Sequence, residues 1–93
     1  ALNKAQLEVK RAGKIIKLTP QEFKLLEYLM LNQEQILTRE AILSHIWQHT
    51  NGIKTRVVDV YMGYLRKKID TDFSPKLIHS IRGFGYVIKR KEK

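Results

Sequence analysis

The sequence predicts a small α+β domain: an N-terminal antiparallel sheet, three helices and a C-terminal β-hairpin. Three observations carry that expectation. Period-two alternation precedes a strongly capped helix start at Thr19, a helical apolar stripe runs from Val58 to Ile69, and a β-branched run interrupted by glycines follows near the end. Ninety-three residues supply one hydrophobic core, so 1–93 reads as a single domain.

Leu7-Glu8-Val9-Lys10 alternates apolar and polar, Ala12-Gly13 is a turn signal, and Ile15-Ile16-Lys17-Leu18 is again β-branched. This is a hairpin, with a further short strand expected around Leu2. Thr19 is a good N-cap, Pro20 suits the first helical position, and Glu22 three residues after the cap completes a capping box; Leu18 can staple onto Phe23. A helix over 20–32 follows, expected to bury Phe23, Leu26, Leu29 and Met30. Residues 32–37 form a polar connection.

Thr38 caps a second helix that starts with Arg39 and Glu40 and ends near Trp47. Its apolar pairs, Ile42 with Ile46 and Leu43 with Trp47, stand four apart and therefore share a face. Residues 48–54 contain Gly52 and read as a loop. A third helix is expected over 55–69. At about 100° per residue, Val58, Met62, Leu65 and Ile69 form its core stripe, with Tyr61 on one flank. The opposite face holds Arg56, Val60, Gly63, Tyr64 and Lys67. Cations beside an aliphatic and an aromatic group suit a DNA major groove, where the cations meet phosphates or guanine and apolar groups meet thymine methyls. The alternative is that Val60 and Tyr64 pack on a neighbouring element. Gly63 costs the helix about 1 kcal/mol relative to alanine, so close approach of another backbone or of DNA is expected there.

Leu77-Ile78-His79-Ser80-Ile81-Arg82, Gly83-Phe84-Gly85 and Tyr86-Val87-Ile88-Lys89 read as two strands with a glycine-containing turn, a hairpin over 77–89 with Arg82 at its tip. Three helices followed by such a hairpin make a winged helix-turn-helix, with the wing placed to reach a neighbouring groove.

Charge points the same way. The net charge is +9, and it is uneven: residues 1–53 carry seven Lys/Arg and five Asp/Glu, whereas 54–93 carry eleven and four. A basic surface concentrated on one part of a small domain favours a polyanion, nucleic acid before an anionic membrane. No apolar run is long enough to span a bilayer, which argues against an integral membrane protein. The absence of cysteine removes disulfides, thiolate zinc sites and a thiol nucleophile, and fits a reducing cytoplasm. His45, His49 and His79 sit on a helix, a loop and a strand without a motif, so neither a metal site nor a catalytic role is expected. No phosphate-cradling glycine loop or nucleophile motif is present, and Asp59 reads as a structural or base-contacting acid beside Arg56 and Arg66. An enzyme and a cofactor are therefore not expected. A winged helix that binds RNA or protein shares the fold and the charge, and remains the third class.

Several segments together resemble the OmpR/PhoB family, the winged-helix effector domains of bacterial two-component response regulators. They are Thr19-Pro20-Gln21-Glu22-Phe23-Lys24-Leu25-Leu26, Thr38-Arg39-Glu40-Ala41-Ile42-Leu43, Ile46-Trp47, Arg56-Val57-Val58-Asp59-Val60-Tyr61-Met62, Leu65-Arg66-Lys67-Lys68-Ile69 and Ile81-Arg82-Gly83-Phe84-Gly85-Tyr86. The match spans nearly the whole chain in order. It implies a four-stranded N-terminal sheet, sequence-specific binding of double-stranded DNA, transcriptional regulation in a bacterial cytoplasm, and a phosphorelay with a sensor kinase. It also implies an N-terminal receiver domain, for which 93 residues leave no room.

Carried over by position, the resemblance makes 55–69 the recognition helix in the major groove and 77–89 the wing in the minor groove. Val57, Asp59, Val60 and Tyr64 then approach bases, and Arg56, Tyr61, Gly63, Arg66 and Lys67 approach phosphates. Trp47, Ser80 and Tyr86 match further backbone-contacting positions, and Arg82 matches the wing arginine of the minor groove. Gly63 and Tyr64 depart from the arginine or other polar residue often found at these positions, so one phosphate contact is absent. The resemblance further implies a free monomer that pairs on tandem direct repeats, and a loop, 48–54, facing RNA polymerase.

Overall fold

The computed structural model describes residues 2–47, 56–71, 73 and 76–89. The expected elements are present in the expected order. Strands β1 (Leu2–Asn3), β2 (Glu8–Arg11) and β3 (Lys14–Lys17) form an antiparallel sheet in that order, with Val9 opposite Ile16. The two-residue turn between β2 and β3 has Ala12 at φ 49° and Gly13 at φ 83°, both in the left-handed region that tight hairpins require. Val9 and Leu18 seal this sheet onto the helices.

Helix α1 (Pro20–Leu31) starts with a complete capping box: Thr19 Oγ1 accepts the Glu22 N–H at 3.3 Å, and Glu22 Oε1 accepts the Thr19 N–H at 3.0 Å. It ends at Asn32, whose side-chain amide donates to the Tyr28 carbonyl at 2.9 Å. Its buried set is wider than one amphipathic stripe. Leu25 and Glu22 join Phe23, Leu26 and Leu29, while Met30 is only half-buried. The reason is that α1 packs against three elements, α2 (Arg39–Ile46), α3 (Arg56–Ile69) and β6 (Gly85–Ile88), so its core face is broad.

The stripe expected on α3 is realised, since Val58, Met62, Leu65 and Ile69 are each 1% exposed or less. Burial of four such side chains contributes about 1.5–3 kcal/mol apiece and fixes the rotation of α3 about its axis. The face that remains outward is thereby fixed as well.

Strand count is where the fold departs from expectation. Among the described residues the N-terminal sheet has three strands rather than four. An extra short strand, β4 (Leu37–Thr38), lies in what reads locally as a polar connection and belongs to the C-terminal sheet, with order β4-β6-β5, where β5 is Ile78–Ile81. Leu37 pairs with Tyr86 and Thr38 with Gly85, while Ile78 pairs with Ile88 and Ser80 with Tyr86. Two residues carry no periodicity of their own, and β4 exists only because β6 offers it an edge. Gly85 permits the approach: a Cβ there would run into the Leu37 carbonyl oxygen and the Thr38 Cα. Thr38 also caps α2, accepting the Ala41 N–H at 3.0 Å, so β6 holds the start of the helix-turn-helix.

Candidate nucleic-acid interface

On α3, Arg56, Val60, Gly63, Tyr64 and Lys67 follow the i, i+3, i+4, i+7 rule of one face, and all are exposed. Val60 and Tyr64 keep 41% and 52% of their surface in solvent, so neither is buried on a neighbouring element of the described chain, although Tyr64 lines a cleft together with Thr19 and Pro20. Among the described residues Gly63 has no close backbone beside it either, since a Cβ placed there would meet nothing within 4 Å. Of the two approaches expected at Gly63, that of another backbone is absent among the described residues.

The flanks are held by aromatic contacts. Trp47, half-buried at the C-cap of α2, lies 5.4 Å from Tyr61, ring centre to ring centre, and Tyr61 meets Tyr64 edge-on at 5.4 Å. This ladder orients Tyr64 from behind while its outer surface stays free. Val57 is half-buried against the core, and Arg66 and Lys67 are exposed in the last turn, where cations also complement the helix dipole. Thr55 and 48–54, the loop expected to face RNA polymerase, lie outside the described residues, as does His49.

Asp59 is placed differently from the expectation. Its partners are Arg39 and Tyr86, not Arg56 and Arg66: Arg39 Nε donates to Asp59 Oδ1 at 2.9 Å and the Tyr86 hydroxyl donates to the same oxygen at 2.5 Å. The first lies 20 residues away in sequence and the second 27, beyond the reach of a local reading. Burial alone would push the Asp59 carboxyl up, but the hydrogen bonds from Tyr86 and Arg39 and the Arg39 charge hold it below its ordinary range. Burial, with the adjacent Asp59 carboxylate, pushes the Tyr86 phenol up to about 12. The hydrogen bond to Asp59 and its negative charge raise the Arg39 guanidinium further above its ordinary value. Tyr86 is buried, at 6% exposure, so its hydroxyl is spent on joining β6 to α3.

In the wing, Ser80 is exposed on β5, and Arg82 and Phe84 are exposed in the turn. The Phe84 N–H donates to the Ile81 carbonyl at 2.9 Å, and Gly83 sits at φ 81°, the conformation a tight turn demands of its third residue. Arg82 is thus fixed at the tip with its side chain in solvent. Sequence reasoning missed two cations that brace α3 from behind. One is Arg39; the other is Lys68, which meets Glu22 Oε1 at 2.7 Å and ties the end of α3 to the capping box of α1. Among the described residues no group of three His, Asp or Glu side chains could hold a metal ion, and no helix is long and apolar enough to cross a membrane.

Residues 13–88 match the family described as "Transcriptional regulatory protein, C terminal". The chain belongs to that family. It is 49% identical over 88 residues to "Uncharacterized transcriptional regulatory protein YkoG" of Bacillus subtilis, covering 95% of this chain and 39% of that protein. Among solved structures it resembles response regulator DrrB of Thermotoga maritima, an OmpR/PhoB homologue, with 32% identity, TM-score 0.81, and coverage of 95% of this chain and 40% of that one. It also resembles the DNA-binding domain of Klebsiella pneumoniae RstA in complex with RstA box, with 30% identity, TM-score 0.80, and coverage of 95% and 88%. The chain spans about two fifths of the length of curated relatives such as YkoG. It has the winged-helix fold of the OmpR/PhoB response regulators, a class of transcription regulators rather than enzymes.

Proposed function

We propose that this domain reads specific sequences of double-stranded DNA with α3 in the major groove and the turn between β5 and β6 in the adjacent minor groove. The observation that carries the reading is the outward face of α3. Val60, Gly63 and Tyr64 are exposed between the cations Arg56 and Lys67, while the core stripe on the other side fixes the helix in place. In this reading Val57, Val60 and Tyr64 face bases, and Arg56, Tyr61, Gly63, Arg66, Lys67, Trp47 and Ser80 line the phosphates. Arg82 enters the minor groove. Asp59 and Tyr86 contribute from within, as the joint that holds α3 against the wing.

The similar RstA domain is a DNA-binding domain seen in complex with RstA box, which supports DNA as the partner here. The reading extends to 1–93 as the cytoplasmic effector domain of a bacterial two-component regulator, with the receiver in another part of the protein. The same reading includes a free monomer that pairs on tandem half-sites about one helical turn apart.

Binding-site selection from random duplexes, followed by competition with structured RNA, tests the reading. A defined consensus is expected, with little competition from RNA, because the deep, narrow major groove of A-form RNA excludes a helix. Recovery of no consensus, or equal competition by RNA, would overturn it. Lengthening the spacing of two half-sites by about half a turn should weaken paired binding.

A further inference from the structure

Asp70 follows the last residue of α3 and is buried, at 4% exposure. Its backbone N–H still donates to the Arg66 carbonyl at 2.8 Å, so Asp70 moves with the helix. Its carboxylate looks toward the wing: Oδ1 accepts the Leu77 N–H at 3.1 Å, and Oδ2 accepts the Ile78 N–H at 3.0 Å. From the N-terminal sheet the Arg11 guanidinium comes within 3.9 Å of Oδ1, and it also lies 5.1 Å from the centre of the Phe73 ring. Lys76 Nζ donates to the Asp70 carbonyl at 2.7 Å and the Thr71 carbonyl at 3.2 Å. Burying a carboxylate is costly without such partners, and hydrogen bonds to a charged acceptor are the strong kind. Helix end, wing base and N-terminal sheet all converge on one acid.

We infer that Asp70 is a positioning residue that sets the angle of the wing on the recognition helix, with Arg11 holding the carboxylate from the N-terminal sheet; this rests on the two-groove reading. Ile78 opens β5, is 1% exposed, and is paired with Ile88, so the wing base is a fixed pivot. Arg82 stands four residues further on, at a distance of about 13 Å at the usual strand rise. A tilt of about 10° at the pivot displaces the tip by about 2 Å, more than a hydrogen bond tolerates. Asp70 is too deeply buried to meet DNA and would repel a phosphate. It acts through Arg82.

The chain has no cysteine, so cysteines introduced as Lys67→Cys and Phe84→Cys can carry a pair of spin labels reporting the distance from helix to wing tip. In Asp70→Asn, one acceptor oxygen becomes an amide donor facing an N–H. The distance distribution should shift or broaden by on the order of 2 Å, the displacement expected of such a lever. Arg11→Gln leaves both backbone hydrogen bonds available and should move it less, in the same direction; it carries the test if Asp70→Asn does not fold. Unchanged distributions in folded variants would overturn the inference. A double-mutant cycle adds the functional readout. Asp70→Asn should lose about fivefold or more in affinity for an A·T-flanked site, but less than twofold when Arg82 is already alanine, because coupled residues are non-additive. Equal losses in both backgrounds would show a merely structural acid and overturn the inference. If the parent selects no duplex sequence, the two-groove reading fails, while the spin-label distances still decide the role of Asp70.

Discussion

The Tyr86 hydroxyl donates to Asp59 Oδ1 at 2.5 Å, joining the central strand of the C-terminal sheet to the first turn of α3. Arg39 reaches the same oxygen from the start of α2. One carboxylate thus fixes three elements, and its titration and that of its partners affect how α3 and the wing are held together.

Tyr86→Phe should keep the ring packing and lose the hydrogen bond, lowering stability by about 1 kcal/mol in urea unfolding, since water can reach the half-exposed Asp59 in its place. The pH dependence follows from the direction of the shift. A phenol raised to about 12 in the folded state, against an ordinary 10, contributes stability that is complete below pH 10 and fades toward pH 12. The stability gap between parent and Tyr86→Phe should therefore shrink over that window. Asp59 runs the other way. Its lowered value means that its contribution is present above the ordinary carboxylate range and is lost in acid.

Lys67→Ala and Arg66→Ala should weaken specific and non-specific duplexes alike, and each should reduce the slope of log affinity against log salt by about one unit. Titrations at several salt concentrations check this. Val60 and Tyr64 should behave differently: their replacement should alter base preference by about 1–3 kcal/mol per contact at nearly constant slope. A selection that returns the parental consensus for Tyr64→Ala would remove Tyr64 from the readout.

The two glycines Gly63 and Gly85 should respond oppositely to alanine. Gly63→Ala meets open space in the free protein, so it should stabilise α3 by about 0.8–1 kcal/mol, while lowering DNA affinity if duplex approaches there. Gly85→Ala forces a methyl into the Leu37 carbonyl and should cost about 3 kcal/mol or more. Thermal unfolding of both variants, with duplex titration of the first, measures these effects.

Arg82→Ala should lose more affinity for a site flanked by an A·T tract than for one flanked by G·C pairs, because a narrow minor groove strengthens the negative potential an arginine meets. Equal losses at one salt concentration would make Arg82 a plain phosphate contact.

The parts legible in the sequence are those fixed by neighbours in the chain. The Thr19 and Glu22 capping box and the Val58 to Ile69 stripe depend on spacings of three and four residues, and both are realised. The exposed face of α3 followed as the complement of that stripe. Long-range pairing was not legible. Asp59 is as close in sequence to Arg56 as capping partners are, yet it pairs with Arg39 and Tyr86, which only the folded topology brings near. Leu37 and Thr38 become a strand because of Tyr86 and Gly85, nearly fifty residues on. Leu25 and Glu22 are buried because α1 is packed on several sides, which a single-face pattern does not express.

The placement of β6 between β4 and β5 has a consequence for synthesis. The middle strand of that sheet is the last of the three to leave the ribosome, so until Ile88 emerges both neighbours are unpaired edges with no partner in the sheet. The anchor for the start of α2 and the Tyr86 link to α3 are missing over the same interval. Helical segments can form early from local contacts, whereas locking them into place waits for the most non-local strand pairing among the described residues, the slow kind of event. A premature stop ahead of Gly85 would yield more than a protein lacking its wing: it would leave the starts of α2 and α3 without their anchors on β6 and two strand edges open to other chains.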